Sequence, residues 1–245
     1  MIVLFTDFGA GDIYVGQVKA ALLEHFPAAV VIDLLHDAPN FRVEAGAHLL
    51  AALQECFPAD SIFFAVVDPG VGSERHAVVV EADSKWYVGP DNGLLSVVWA
   101  RAKERRTWRI TWRPPRLSTS FHGRDLFAPV AAWIARGDFP FDKLGEVSEL
   151  GLRLGAEDLS EVIYVDHYGN ALTGLRAGRV PPDAALAVRE HRLRYAKVFA
   201  DVPASSAFWY ENSAGLVELA AHGASAAALL GVKIGDAVSV IHPSV

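Results

Sequence analysis

Two rhythms along the 245 residues predict an α/β protein with a second, smaller all-β part. Over roughly the first 150 residues, short apolar runs of strand length alternate with stretches of helical periodicity, the pattern of a parallel or mixed sheet covered by helices. Beyond about residue 160, short β-like runs recur with little helix between them, as in a small barrel or sandwich. A chain of this length accommodates one large domain, or a medium and a small one. With 52% apolar residues it can bury a substantial core.

Taken in order, 2–5 (Ile2-Val3-Leu4-Phe5) is a short buried strand, and Gly9 and Gly11 punctuate the loop after it. A helix is expected over 13–25 and a strand over 29–35. Residues 41–56 read as a helix with Val43, Ala47, Leu50 and Leu53 on one face. The run 61–67 is a strand ended by Asp68-Pro69-Gly70; 76–80 and 86–88 form a strand pair; 92–103 and 124–136 are helical. The segment 148–160 separates the two regimes. After it come a strand at 161–166, a turn at Tyr168-Gly169-Asn170, β-like runs at 184–189, 197–199, 208–210, 216–219 and 237–241, and one short helix at 224–230. No internal repeat or low-complexity tract is present.

Composition narrows the function. Twenty-nine acidic against 22 basic residues give a net charge of −7. The cluster of Arg101, Lys103, Arg105 and Arg106 reads as a solvated helix end, so nucleic-acid binding is disfavoured. No apolar stretch approaches the ~20 residues of a membrane helix. The first residues lack the basic lead of a signal peptide. The lone Cys56 cannot form an internal disulfide, and no Cys/His spacing suits zinc; a reduced, cytoplasmic setting is expected.

Polar clusters follow strand ends at Thr6-Asp7-Phe8-Gly9, His36-Asp37-Ala38-Pro39, the run from Asp68 to Arg75, and Ser120-Phe121-His122-Gly123-Arg124-Asp125. Ligands of open α/β sheets bind outside the carboxyl ends of the strands. Asp7 can be a turn-forming residue before glycines, or an acceptor-only carboxylate for two sugar hydroxyls. Asp68 and Arg75 can be a loop ion pair, while Gly70 and Gly72 between them permit close backbone approach to a ligand. His122 can be structural. His36, Asp37 and Asp7 together leave open a metal-dependent hydrolase.

Six ordered motifs raise the functional readings of Asp68, Arg75 and His122. Thr6-Asp7-Phe8-Gly9, Val67-Asp68-Pro69-Gly70-Val71-Gly72 through Arg75, Pro90-Asp91-Asn92-Gly93, Ser120-Phe121-His122-Gly123-Arg124-Asp125, Val165-Asp166-His167-Tyr168-Gly169-Asn170 and Glu211-Asn212-Ser213-Ala214-Gly215 together resemble the SAM hydroxide adenosyltransferase family, which is related to fluorinase and chlorinase. The resemblance spans residue 1 to about 240. It implies an N-terminal α/β domain with a mostly parallel central sheet (1–150), a linker (151–160) and a C-terminal small β-barrel domain (161–245). It also implies a homotrimer whose active sites lie at subunit interfaces. The implied activity is hydrolysis of S-adenosyl-L-methionine (SAM) to adenosine and L-methionine, with no cofactor and no metal. Asp68, Arg75 and His122 match the family's triad around the attacking water. Asp7 matches the ribose-diol ligand, Phe121 an aromatic near the ribose, and Phe41 a tryptophan flanking the nucleoside. Asp166 matches the methionine amino ligand, Tyr168, Asn170 and Phe199 adenine contacts, and Ser213 a carboxylate contact; Glu218 ranks below these.

The related halogenases carry a tyrosine and a threonine in the loop that here holds Asp68 and Val71, and serine or glycine where Gly123 stands. A carboxylate at 68 repels halide but accepts a proton from water, which favours hydrolysis over an adenosyl halogenase. A binding protein or sensor for SAM with negligible turnover would carry the same binding residues. Sequence leaves open which of Asp68 and His122 receives the proton.

Overall fold

The computed structural model describes residues 1–242. It divides into two compact units, Met1–Leu50 with Phe57–Ala156, and Ala51–Cys56 with the chain from Glu157 onward.

The first unit is built on a seven-stranded sheet. Its strands are β1 (Ile2–Thr6), β2 (Val31–Leu35), β3 (Ile62–Val66), β4 (Ala77–Ala82), β5 (Lys85–Pro90), β6 (Arg105–Ile110) and β7 (Leu144–Val147), in spatial order β2-β1-β3-β5-β4-β6-β7. Pairing is parallel from β2 to β5 and antiparallel from β5 to β7. Every residue of β1 and β3 is buried. Ile2, Leu4, Ile62, Phe64 and Val66 share one core with Val18 and Leu22 of helix α1 (Ile13–His25), and with Val130, Ala131 and Ile134 of helix α4 (Ala128–Ala135). The alternate residues Val3, Phe5 and Phe63 are fully buried too, as strands covered on both faces require.

Helix α2 (Val43–Leu53) corrects the narrow stripe expected of it: Ala45 through Ala52 are buried without interruption, so its sequence is apolar around most of its circumference. Helix α3 (Ser96–Arg101) is shorter than expected. The Asn92 side chain accepts the Leu94 N–H at 3.2 Å and Gly93 has φ +101°, so this stretch is a turn that delays the helix. The supposed solvated helix end is also different. Arg101 closes α3, whereas Arg105 and Arg106 lie on β6, with guanidinium carbons 3.9 Å and 4.8 Å from the ring centroids of Trp99 and Trp108. Strands β6 and β7 had no sequence expectation; the arginines of β6 mask its alternation.

The second unit contains β8 (Leu159–Val165), β9 (Ala171–Arg176), β10 (Ala185–Val188), β11 (His191–Leu193), β12 (Ala207–Glu211), β13 (Leu216–Ala221) and β14 (Val238–Ile241), with one short helix, α5 (Ala226–Leu230). They form two antiparallel sheets, β12-β13-β9-β8 and β11-β10-β14. Single bridges, Glu161 to Ala237 and Tyr195 to Trp209, join the sheets at both pairs of edges and close the ring. Among the described residues closure leaves no long free strand edge, the reason small β domains adopt it. Inside lie Trp209, Val162, Leu186, Val217, Leu219 and Val238. The strand expected at 197–199 is absent: Phe199–Asp201 is a 3-10 turn, with the Asp201 carboxylate accepting the Val198 N–H.

Candidate active site in two halves

The strand order places β1 between β2 and β3, so the connection after β1 runs to one side, towards β2, and the connection after β3 runs to the other, towards β4. The carboxyl ends of β1 and β3 therefore flank a topological switch point, where crevices form. Asp7 follows β1 and Asp68 follows β3 one residue on, and in the pairing Thr6 stands opposite Val66. Both line one cleft of ≈ 570 Å³ together with Val71, Phe121, His122 and Gly123.

The Asp68 and Arg75 side chains are only 5% and 9% exposed, so they were withdrawn from water as a pair. Arg75 grips Asp68 with a fork: Nε donates to Oδ1 at 2.9 Å and Nη2 donates to Oδ2. The Arg75 guanidinium also lies 5.3 Å from the centroid of the buried Phe127 ring. Nη2 is 3.2 Å from His122 Nδ1. Arginine has only donors, so Nδ1 is the acceptor and the neutral imidazole carries its hydrogen on Nε2. Burial and the neighbouring Arg75 charge both hold the His122 pKa below the ordinary histidine value, which keeps the ring neutral. The loops meet closely: Gly72 has φ +81°, and a Cβ there would sit 2.4 Å from the Thr119 carbonyl oxygen. Behind Asp68, Asn92 Nδ2 donates to the Val67 carbonyl at 2.8 Å, fixing the chain where the carboxylate emerges.

Among the described residues Asp7 has no such partner. Burial, with a smaller contribution from the Asp68 charge, pushes its pKa up to about 6 against the backbone hydrogen bond that lowers it. Its loop is held from below. The Thr6 hydroxyl is 2.8 Å from His36 Nδ1, His36 Nε2 is 3.0 Å from Asp33, and Gly9 N–H donates to the His36 carbonyl at 2.7 Å. Both ring nitrogens of His36 are thus engaged, which removes the histidine from the metal reading; among the described residues no group of three or more His, Cys, Asp or Glu could hold an ion.

Phe121 makes edge contacts with Phe8 and Tyr14, at 5.8 and 5.4 Å between centroids, forming an aromatic corner of the cleft. Phe8 and Tyr14 had not been singled out. Phe8 lies inside a recognised motif, whereas nothing in the sequence marks Tyr14. Phe41 lines neither half. It is 79% exposed at φ +62°, a left-handed conformation that costs a bulky residue roughly 1–3 kcal/mol and is typical of functional positions.

In the second unit, Asp166, Tyr168, Asn170, Phe199, Ser213 and Glu218 all line one cavity of ≈ 830 Å³. Asp166 closes the β8–β9 turn: Oδ1 accepts the N–H groups of Tyr168 and Asn170 at 2.9 and 2.8 Å, and Oδ2 accepts Asn170 Nδ2 at 3.1 Å. Asn170 therefore keeps its carbonyl oxygen and one amide hydrogen for a ligand. Gly169, at φ +83°, lets the backbone of the turn approach Ser225, whose Oγ would lie 2.0 Å from any Cβ.

Glu218 is 5% exposed, yet faces this cavity. Tyr210 OH donates to Oε1 at 2.7 Å and Asn212 Nδ2 donates to Oε2 at 2.9 Å. Burial, and to a lesser degree the nearby Asp166 charge, raises its pKa against these two bonds. Tyr210 was not anticipated because its link to Glu218 is a cross-strand register, set only when β12 pairs with β13.

Known proteins resemble nearly the whole chain. Residues 2–145 match the SAM hydroxide adenosyltransferase N-terminal domain and residues 160–239 match the C-terminal domain. A Thermus thermophilus protein named (R)-S-adenosyl-L-methionine hydrolase is 36% identical over 98% of this chain and 99% of its own length. A Nocardia brasiliensis fluorinase is 24% identical over 98% and 96%. A solved structure of an uncharacterized conserved protein from Thermotoga maritima superposes with a TM-score of 0.88 at 31% identity, covering 99% of this chain and 100% of that one.

Proposed function

Because the chain belongs to the SAM hydroxide adenosyltransferase family, we propose that it hydrolyses S-adenosyl-L-methionine to adenosine and L-methionine. The observation that carries this reading is the Asp68–Arg75–His122 cluster in the first cleft. Water attacks the ribose 5′ carbon in line with the carbon–sulfur bond. The new bond is carbon–oxygen, and the pair of the breaking bond stays on sulfur, so a cationic sulfonium leaves as the neutral thioether of methionine. No acid is needed at sulfur. The demand falls on the nucleophile, which must be oriented ~3–3.5 Å from carbon and relieved of a proton.

The hydrogen-bond directions divide these tasks. His122 Nδ1 is taken by Arg75, so Nε2–H donates to the water oxygen and orients it. Asp68 spends one acceptor position per oxygen on Arg75, and its remaining lone pairs accept the proton. Arg75 fixes both groups and steadies negative charge on the oxygen. Asp7 accepts the ribose hydroxyls, with Phe121 against the sugar. For Phe41, which lines neither cavity, the role of flanking the nucleoside rests on the family resemblance alone. In the second cavity, Tyr168 and Phe199 stack adenine, Asn170 bonds its edge, Asp166 takes the methionine amino group and Ser213 its carboxylate. Glu218 adds a second carboxylate to that cavity, suited to a cationic ligand. The reading includes a homotrimer in which the first half-site of one subunit works with the second half-site of its neighbour. No cofactor and no metal take part.

Incubation with SAM in ¹⁸O-water tests the reaction. One solvent oxygen is expected in the adenosine 5′ hydroxyl and none in methionine. Methylthioadenosine as product, label in methionine, or no turnover would overturn it.

A further inference from the structure

The motif around His122 contains two charged residues that the reaction does not use, Arg124 and Asp125. Immediately after His122 the chain makes a single π turn, Gly123–Phe127, with the Ala128 N–H bonded to the Gly123 carbonyl, before α4 begins. Such turns add a residue to a helix and redirect the side chains at its start. Here the extra residue turns the Asp125 carboxylate back towards the loop before the histidine. Its Oδ2 accepts the Ser118 N–H at 2.8 Å. Arg124 fills the rest of the carboxylate, Nε to Oδ1 at 2.6 Å and Nη2 to Oδ2 at 3.1 Å, and its Nη1 donates to Gln17 of α1 at 2.9 Å.

The anchored residue has a direct structural consequence. Ser118 is followed by Thr119, whose carbonyl rests against Gly72 in the loop between Asp68 and Arg75. The segment 118–122 is thus pinned at one end by Asp125 and seated in the middle on the Asp68–Arg75 loop, and it ends in His122. The Asp125 side chain is only 15% exposed, and its pKa is held down by Arg124 and the Ser118 N–H despite partial burial, so it stays an ionised acceptor.

We propose that Asp125 is a positioning residue: by anchoring the Ser118 N–H it sets the contact between Arg75 and His122 Nδ1, and hence the hydrogen on His122 Nε2 that orients the water. This rests on the hydrolase reading for its kinetic consequence only. Three variants separate the anchor from the charge. Asp125→Ala removes both, Asp125→Asn keeps a neutral acceptor for Ser118, and Asp125→Glu keeps the charge but displaces the acceptor.

Steady-state kinetics on SAM should give a kcat lowered on the order of tenfold to a hundredfold in Asp125→Ala and Asp125→Glu, with KM changed less than about threefold, and a kcat within about threefold of the parent in Asp125→Asn. ¹⁵N spectra of labelled histidine, which need no turnover, should report His122 in the parent and Asp125→Asn as the Nε2–H tautomer with Nδ1 hydrogen-bonded. In Asp125→Glu that signal should move towards a free imidazole with mixed tautomers. Unaltered His122 signals in Asp125→Glu, or Asp125→Asn as impaired as Asp125→Glu, would overturn the anchor. A parent without hydrolase activity sinks the functional reading alone, because the spectra still decide the anchor.

Discussion

The two cavities are assembled by opposite means. In the first unit, the clustered polar groups come from distant parts of the chain. Asp68 and His122 are 54 positions apart in sequence and are joined through Arg75 at the carboxyl ends of parallel strands. In the second unit, polar residues lining the cavity sit on tight hairpins: Asp166 grips Tyr168 and Asn170 within five residues, and Tyr210 and the turn residue Asn212 both donate to Glu218 across the β12–β13 hairpin. The difference is one of rigidity and purpose. A parallel sheet buried on both faces holds catalytic groups where small displacements cost much rate. A hairpin pocket presents exposed aromatic faces such as Tyr168, suited to binding a flat ligand.

If that division holds, the largest effect belongs to Asp68. Asp68→Ala should lower kcat by at least roughly a hundredfold while KM changes little, since a proton acceptor acts in the transition state. Mixing these subunits with Asn170→Ala Ser213→Ala subunits under exchange should restore part of the activity; confirmed exchange without recovery would place both halves of the working site in one subunit.

A smaller effect of the other kind is expected at Glu218. Glu218→Ala should raise KM about tenfold with a lesser change in kcat. It should also lower stability by roughly 1–3 kcal/mol, because Tyr210 OH and Asn212 Nδ2 lose their acceptor in a buried place. A kcat loss as deep as that of Asp68→Ala would break the comparison.

The smallest effect concerns Asp7, a first-unit residue to which the proposed reaction gives a binding role. Its folded pKa of about 6 lies above the ordinary carboxylate range, so the folded protein takes up this proton more readily than the unfolded chain. Its contribution to stability is present at acid pH and is lost as pH rises through about 6. Asp7→Asn should therefore be more stable than the parent above pH 6, by on the order of 1 kcal/mol, with a raised KM. In the parent, KM should climb as pH falls through about 6 and the ribose ligand loses its charge. Thermal melts and KM measured at pH 5 and 8 check both signs; a KM flat across that range would remove Asp7 from ribose binding.

The sequence by itself determined the class of each unit and most of the residues that line its cavity. Buried strands such as Ile2–Thr6 and Ile62–Val66 are continuous apolar runs, and the turn residues Asp166, Gly169 and Asn170 act within a few positions of one another. Local chemistry of that kind is written in adjacent letters. Legibility failed where arginines interrupted the alternation of β6, where a turn residue delayed α3, and where Tyr14 reached the cleft with no motif to mark it. Tertiary structure alone decided the tautomer of His122, the raised pKa of Asp7, the Tyr210–Glu218 pair and the anchoring of Ser118 by Asp125. Each depends on burial or on a contact between elements, and dielectric and hydrogen-bond direction exist only after the chain has packed.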